Sequence, residues 1–170
     1  MHLPRFSSVL NRELAQLYAS IALRNFTLGL VAIFVPIYIF LYFSQDISKT
    51  LLFFGAIALF YGAFSPLAGK VITKIGVKHS MLASVPFIFI YYLGLWKIEA
   101  LGDLFFILIP IVVIHNLLYW PAFHIGFSRF SEEGSRGKQL SYRHLVTALA
   151  SSLAPLIGGL ILAQFGYPTL

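Results

Sequence analysis

The feature that most constrains this chain is a run of nineteen residues without a charged side chain, from Leu51 to Gly69. A helix of this length, at about 1.5 Å per residue, covers roughly the 30 Å hydrocarbon core of a bilayer. The run leads directly into Gly69–Lys78, a short basic segment punctuated by glycine. An apolar helix that ends in a basic turn is typical of a protein that crosses the membrane.

The composition of the whole chain supports the same interpretation. Hydrophobic residues make up 59% of the 170 residues, charged residues make up 11%, and the mean hydropathy is +0.86. Soluble domains average about 25% charged residues, so a soluble core of this size is excluded. The sequence therefore predicts an all-α integral membrane protein with a lead-in at residues 1–16 and a bundle at 17–170. Five stretches are predicted to span, namely Phe26–Phe43, Leu51–Gly69, Ser80–Trp96, Leu104–Phe123 and Leu145–Phe165.

The basic residues are unevenly distributed between the segments that connect these spans. Nine of the twelve Lys and Arg residues lie in the lead-in or in connections on the same side, whereas Lys49 and Lys97 lie on the other side. The positive-inside rule then places the N-terminus in the cytoplasm. The net charge of +6 is thereby explained as a topology signal, and no nucleic-acid partner is expected.

The lead-in at residues 1–16 is open to two interpretations. Apolar residues recur at near-helical spacing in it, which fits a short amphipathic helix on the inner membrane surface. A disordered tail fits the same residues equally well.

Small residues form stripes on two of the predicted spans, where membrane helices make close contacts. On the second span the stripe includes Gly62, and on the fifth it includes Ala154 and Gly158, beside Pro155 and Gly159. We expect tight helix packing there, although such stripes occur in most membrane proteins with several spans.

The basic segment after the second span resembles the loop between the second and third helices of the major facilitator superfamily. The family pattern reads roughly G-x-x-x-D-R-x-G-R-K, and Gly69, Lys74, Gly76 and Lys78 fit it. Thr73 stands where the family has an acidic residue, and Val77 replaces one basic residue. Two further patterns of the family resemble segments here: the "R-G-[RK]" that opens the fifth helix at Arg136, and G-x-x-x-G-P-x-x-G-G at 150–159.

The resemblance implies a fold and a function. Family members have twelve helices in two halves of six, so this chain is similar to the N-terminal bundle without its sixth helix. The implied function is secondary transport of a small solute across the cell membrane by alternating access, with or without a coupling ion. The remaining helices of the transporter would be partners beside the lipid bilayer, no cofactor is expected, and the basic segment would help close the cytoplasmic side.

Polar residues at membrane depth are the candidate substrate-binding residues, because burying them in lipid is costly. His115, Asn116, Tyr119 and Trp120 lie near the middle of the fourth span, and the resemblance implies that the first and fourth helices line the cavity. Tyr38 on the first span is added for the same reason. Hydrogen bonding between helices in a packed bundle is the alternative for this cluster.

Arg24 is a further candidate, and it has an alternative interpretation of its own. It lies near the inner interface, where its side chain can extend to the lipid headgroups or form a structural ion pair. No Asp or Glu lies in any predicted span, which leaves His115 as the group near the midplane that titrates near neutral pH.

Catalytic and metal-binding patterns are lacking in the sequence. There is no cysteine, no H-E-x-x-H and no G-x-S-x-G, and Glu132–Arg136 only faintly resembles the E-E-x-x-x-R motif of intramembrane proteases. We therefore do not expect the protein to be an enzyme. Two rival functions remain, a membrane-embedded enzyme and a five-helix scaffold that does not transport.

Overall fold

A computed structural model describes residues 12–130 and 136–166 of the chain. Within these two ranges every regular element is helical and no strand occurs. Of the predicted lead-in at residues 1–16, an amphipathic helix or a tail, residues 1–11 lie outside the described residues and residues 12–16 belong to the first helix. The helices are α1 (Arg12–Ala32), α2 (Phe34–Tyr42), α3 (Ile47–Ile75), α4 (Val77–Trp96), α5 (Ile98–Leu101), a 3-10 helix (Gly102–Ile107), α6 (Leu108–Phe130) and α7 (Arg136–Phe165).

Five segments of the described chain are long and apolar enough to cross a bilayer. This confirms the predicted number of spans and the all-α membrane class. The spans are Tyr18–Tyr42, Ile47–Ile75, Val77–Trp96, Ile98–Arg129 and Gly137–Phe165.

The first span is interrupted, which the sequence analysis did not predict. Helix α1 ends at Ala32, a turn follows at Ile33, and α2 begins at Phe34. Pro36 lies four residues after Ala32, where its ring would collide with the Ala32 carbonyl and where it has no N–H to donate. The proline therefore accounts for the break.

The basic segment is helical rather than a loop, so that part of the prediction is wrong. Helix α3 continues through Gly69 and Lys74 to Ile75, and α4 starts at Val77, which leaves Gly76 as the one residue between the helices. Lysine is a good helix former and continues the helix past the apolar run. Gly76 adopts φ +85°, a conformation that suits glycine, and its N–H donates to the Ile72 carbonyl at 2.8 Å.

Helix α3 starts at a well-formed cap outside the membrane span. The Asp46 carboxylate accepts hydrogen bonds from the backbone N–H groups of Ser48 at 2.9 Å and Lys49 at 3.1 Å. The Lys49 N–H, followed by that of Ser48, holds the pKa of Asp46 below its usual value. These bonds satisfy two of the N–H groups that a helix start leaves without partners.

The chain divides into two compact units, and the first contains α1, α2 and α7. The Tyr18 hydroxyl on α1 donates to the Gln139 carbonyl on α7 at 2.8 Å. Twelve residues further along α1, Leu30 lies against Gly158 on α7. Since residue numbers rise together along both helices, α1 and α7 run parallel, as the first and fifth spans of an alternating chain must.

The second unit covers Phe43–Gly126 and contains α3, α4 and most of α6. Ser80 and Ser84 on α4 pair with Leu118 and His115 on α6, so these two helices are antiparallel. Helix α3 runs parallel to the fourth span. Phe53 contacts Phe105 in the 3-10 helix just before α6, and Ile72 shares a cluster with Ala122 further along α6. Each unit therefore has the directions that successive crossings require.

Candidate functional site

The polar cluster predicted on the fourth span forms a ladder of rings along α6. His115 and Tyr119 stack with centroids 5.8 Å apart, and Tyr119 stacks on Phe123 at 6.1 Å. Trp120 stacks on His124 at 6.2 Å on the next face. The spacing of four residues produces both stacks, since residues i and i+4 lie on the same face of a helix.

The imidazole of His115 is turned into the interface between α4 and α6. Its Nδ1–H donates to the backbone carbonyl of Ser84 at 2.9 Å, and the side chain is 3% exposed. A carbonyl only accepts, so the proton of the neutral ring resides on Nδ1. This is the helix-to-helix hydrogen bond that the packed-bundle alternative describes.

A second hydrogen bond joins the same two helices, and the sequence analysis missed it. The Ser80 hydroxyl donates to the Leu118 carbonyl at 2.8 Å, and both Ser80 and Ser84 are fully buried. Two serines four residues apart on one face of a span are the signal for such a contact, because small hydroxyl residues bond across membrane helices.

Arg24 and Tyr38, the other two substrate-binding candidates, belong to the first unit. Arg24 is on α1 and Tyr38 on α2, and both side chains are half-buried. The backbone carbonyl of Arg24 accepts a hydrogen bond from the Thr27 hydroxyl at 3.1 Å. The four ring and amide candidates, by contrast, all belong to the second unit.

The residues of the predicted gating segment lie at the ends of three helices. Gly69 and Lys74 are in the last two turns of α3, Gly76 is the joint, and Lys78 is the second residue of α4, with its side chain exposed. Arg136 is the first residue of α7 and belongs to the first unit. The lysines therefore project from helix ends, where their side chains can reach the headgroup level.

The packing residues predicted on the fifth span make close contacts within the first unit. Ala154 is fully buried, and a Cβ on Gly29 would lie 2.8 Å from the Ala154 Cβ. A Cβ on Gly158 would overlap the Leu30 carbonyl oxygen, and one on Gly159 would contact the Phe34 ring. Pro155 lies inside α7 among these residues.

The packing role predicted for Gly62 finds no contact partner in the part of the chain that the structure describes. A Cβ on Gly62 would meet no atom within 4 Å, and the same holds for Gly55 and Gly69 of that stripe. The stripe on α3 is therefore open here, whereas the stripe on α7 is filled by α1.

An apolar groove of about 520 Å³ runs along α3 and α6 within the second unit. The lining side chains are all apolar, and they include Phe60, Phe64, Leu67 and Val71 from α3 and Ile114 and Leu117 from α6. The groove could not be predicted from the sequence, because it depends on which faces of the two helices meet. None of the polar candidate residues lines it.

No three His, Asp or Glu side chains come together among residues 12–130 and 136–166 in a way that could hold a metal ion. The candidate substrate-binding residues present aromatic rings, the Asn116 amide, tyrosine hydroxyls and the Arg24 guanidinium. Such groups can bind a small molecule by stacking and hydrogen bonding.

Comparison with models of known protein families identifies a family for this chain. The family model described as Major Facilitator Superfamily matches residues 17–170. No curated protein and no solved structure matches the chain. The family match covers every helix from Leu17 of α1 to the end of α7.

Proposed function

The chain belongs to the major facilitator superfamily, and on that premise we propose that it forms five helices of the N-terminal half of a secondary transporter. The family match over residues 17–170 carries this proposal. The arrangement of the helices supports it, since successive spans alternate in direction in the second unit, and the first and fifth spans run parallel in the first unit. The transported species would be a small solute, moved by alternating access between the two sides of the membrane.

In this proposal the N-terminus lies in the cytoplasm of the cell and the basic ends of α3 and α4 face the same side. The excess of basic residues in those segments supports the orientation. Lys74 and Lys78 would then help close the cytoplasmic entrance, as the resemblance of this segment to the family pattern implies.

Within the second unit, the solute would contact α6 through Asn116 and Trp120. Arg24 of α1 and Tyr38 of α2 are separate candidate contacts within the first unit. Asn116 and Trp120 are half-buried, whereas His115 and Tyr119 are buried. We therefore assign His115 a positioning role, in which its hydrogen bond to Ser84 holds α6 against α4. Tyr119, stacked on His115, would support the neighbouring ring of Trp120, which contacts the solute.

The test uses accessibility from both sides, and it needs no knowledge of the solute. The chain has no cysteine, so a single cysteine at Tyr38, Asn116 or Trp120 is a unique label. Alternating access predicts that an impermeant thiol reagent reacts with these positions both in intact cells and in inverted vesicles. Leu59→Cys, on the strongly exposed apolar surface of α3, is the control that lipid should shield.

Reaction of the three positions from neither side would contradict the transporter proposal. That result would favour a scaffold with a dry core. Reaction from one side alone would contradict alternating access while leaving a cavity in place.

A further inference from the structure

We propose that the apolar groove along α3 and α6 holds one acyl chain of an anionic phospholipid, whose headgroup is bound by Lys74 and Lys70. The proposal is independent of which solute the protein moves. It rests on three features of the second unit: the shape and lining of the groove, its length, and the charges at one end of it.

The lining of the groove suits a hydrocarbon chain and no polar ligand. Its side chains present no polar surface to the groove. Several are large and considerably exposed, among them Leu67 at 52%, Phe64 at 46% and Val71 at 42%. Since both helices are membrane spans, the surrounding medium that can fill the groove is lipid.

The length of the groove matches one leaflet of the bilayer. On α3 it extends from Phe60 to Val71, eleven residues that rise about 16 Å at 1.5 Å per residue. Half of the hydrocarbon core is about 15 Å thick. A chain lying in the groove would therefore reach from the middle of the membrane to its surface.

The end of the groove at Val71 continues into positive charge. Residues at steps of three and four share a helix face, so Lys74 follows Val71 on the face that Phe64 and Leu67 form, and Lys70 flanks it. Both lysine side chains are exposed. Their stems can lie along the apolar surface while the ammonium groups reach the headgroups.

No acidic residue offsets these lysines on the two helices that form the groove. Neither α3 nor α6 contains an Asp or Glu. Basic sites beside membrane helices bind anionic headgroups, and each lysine near the surface strengthens the attraction. The combination of a leaflet-long apolar groove and lysines at its outer end therefore favours an anionic lipid over a zwitterionic one.

The experiment measures the lipid that the purified full chain retains, by native mass spectrometry after exchange into detergent with a defined lipid. Phosphatidylglycerol and phosphatidylcholine with identical acyl chains are compared. We expect one phosphatidylglycerol to be retained with at least about fivefold preference, and Lys74→Gln to weaken that binding about fivefold. Lys49→Gln, at the opposite end of α3, is the matched control and should leave the binding unchanged.

A second set of variants tests the groove itself. Leu67→Trp fills the groove and should reduce the retention of phosphatidylglycerol several-fold, whereas Leu59→Trp adds the same ring outside the groove and should not. If Leu67→Trp lowers the helical content measured by circular dichroism, Ile114→Trp fills the groove from α6 instead.

Three results would overturn the proposal. Equal retention of the two lipids would show that charge does not select the occupant. Retention of phosphatidylglycerol that survives both groove-filling variants would place the lipid elsewhere. A dimer that Leu67→Trp dissociates would make a second copy of the chain the occupant.

Discussion

Gly158 on α7 lies so close to Leu30 on α1 that a single methyl group on residue 158 would overlap the Leu30 carbonyl oxygen. The atom in the way belongs to the backbone of a neighbouring helix, so it cannot move aside as a flexible side chain would. Lipid provides little driving force between helices, and such close backbone contact is how they associate in a membrane.

Gly158→Ala should therefore destabilise the protein by about 1–3 kcal/mol, the usual cost of overpacking. Gly62→Ala is the matched control, because no described atom lies within 4 Å of an added Cβ there. Unfolding of both variants in mixed detergent micelles measures the difference. Equal stability of the two would contradict the assigned role of the contact with Leu30.

The hydrogen bond of His115 to the Ser84 carbonyl should contribute measurably to stability. His115→Phe keeps a ring that can stack on Tyr119 but removes the donor, and we expect a loss of about 0.6 kcal/mol, at most roughly 2, as for other hydrogen bonds between membrane helices. His124→Phe changes an exposed histidine on the same helix and should have no such effect. If the two substitutions lower the stability by the same small amount, the hydrogen bond does not stabilise the packing of α4 against α6.

The cap at Asp46 should make the start of α3 sensitive to acid. Its pKa is lowered in the folded chain, so its contribution is fully present above the ordinary aspartate value of 3.8 and is lost as the pH falls through the lowered value. Asp46→Ala removes this dependence and lowers the melting temperature near neutral pH. Asp46→Asn retains a cap without a charge. Between about pH 5 and pH 3, a range around the ordinary aspartate pKa, its melting temperature should therefore change less than that of the unmodified chain.

The orientation in the membrane can be tested with single cysteines in intact cells. An impermeant thiol reagent should label cysteine at Lys49 and Asp103, and should not label cysteine at Thr73 or Gly134. Asp103 is preferable to its neighbour Gly102, whose φ of +49° suits glycine. Labelling at Thr73 or Gly134 without labelling at the other two positions would show that the orientation is the reverse of the predicted one.

The number of spans could be predicted from the lengths of the apolar runs, and the family from the short patterns at Gly69–Lys78, at Arg136 and at 150–159, because both are local properties of the sequence. The helices on either side of Gly76 in the segment Gly69–Lys78 could not be predicted. The resemblance indicated a loop there, whereas the lysines of the segment are compatible with a helix. The break at Ile33 could have been found from Pro36, which stands in the middle of an apolar run.

Less of the candidate site could be predicted from the sequence, because its geometry depends on which faces of neighbouring helices are in contact. The shared face of His115 and Tyr119 follows from their spacing, and the structure places their rings in a stack. That His115 turns toward Ser84 depends on the antiparallel register of α4 and α6, which no pattern in the sequence specifies. The groove beside Leu67 depends in the same way on the pairing of α3 with α6.

The single-residue joint at Gly76 has a mechanical consequence for the pair of helices it connects. With one non-helical residue between Ile75 and Val77, there is no slack in the connection. Any swing of α3 against α4 must be taken up by the two torsions at Gly76, whose φ of +85° few other residues adopt. The torsions at Gly76 therefore set the angle between α3 and α4, and another residue at position 76 would have to adopt the same unfavourable φ to keep it.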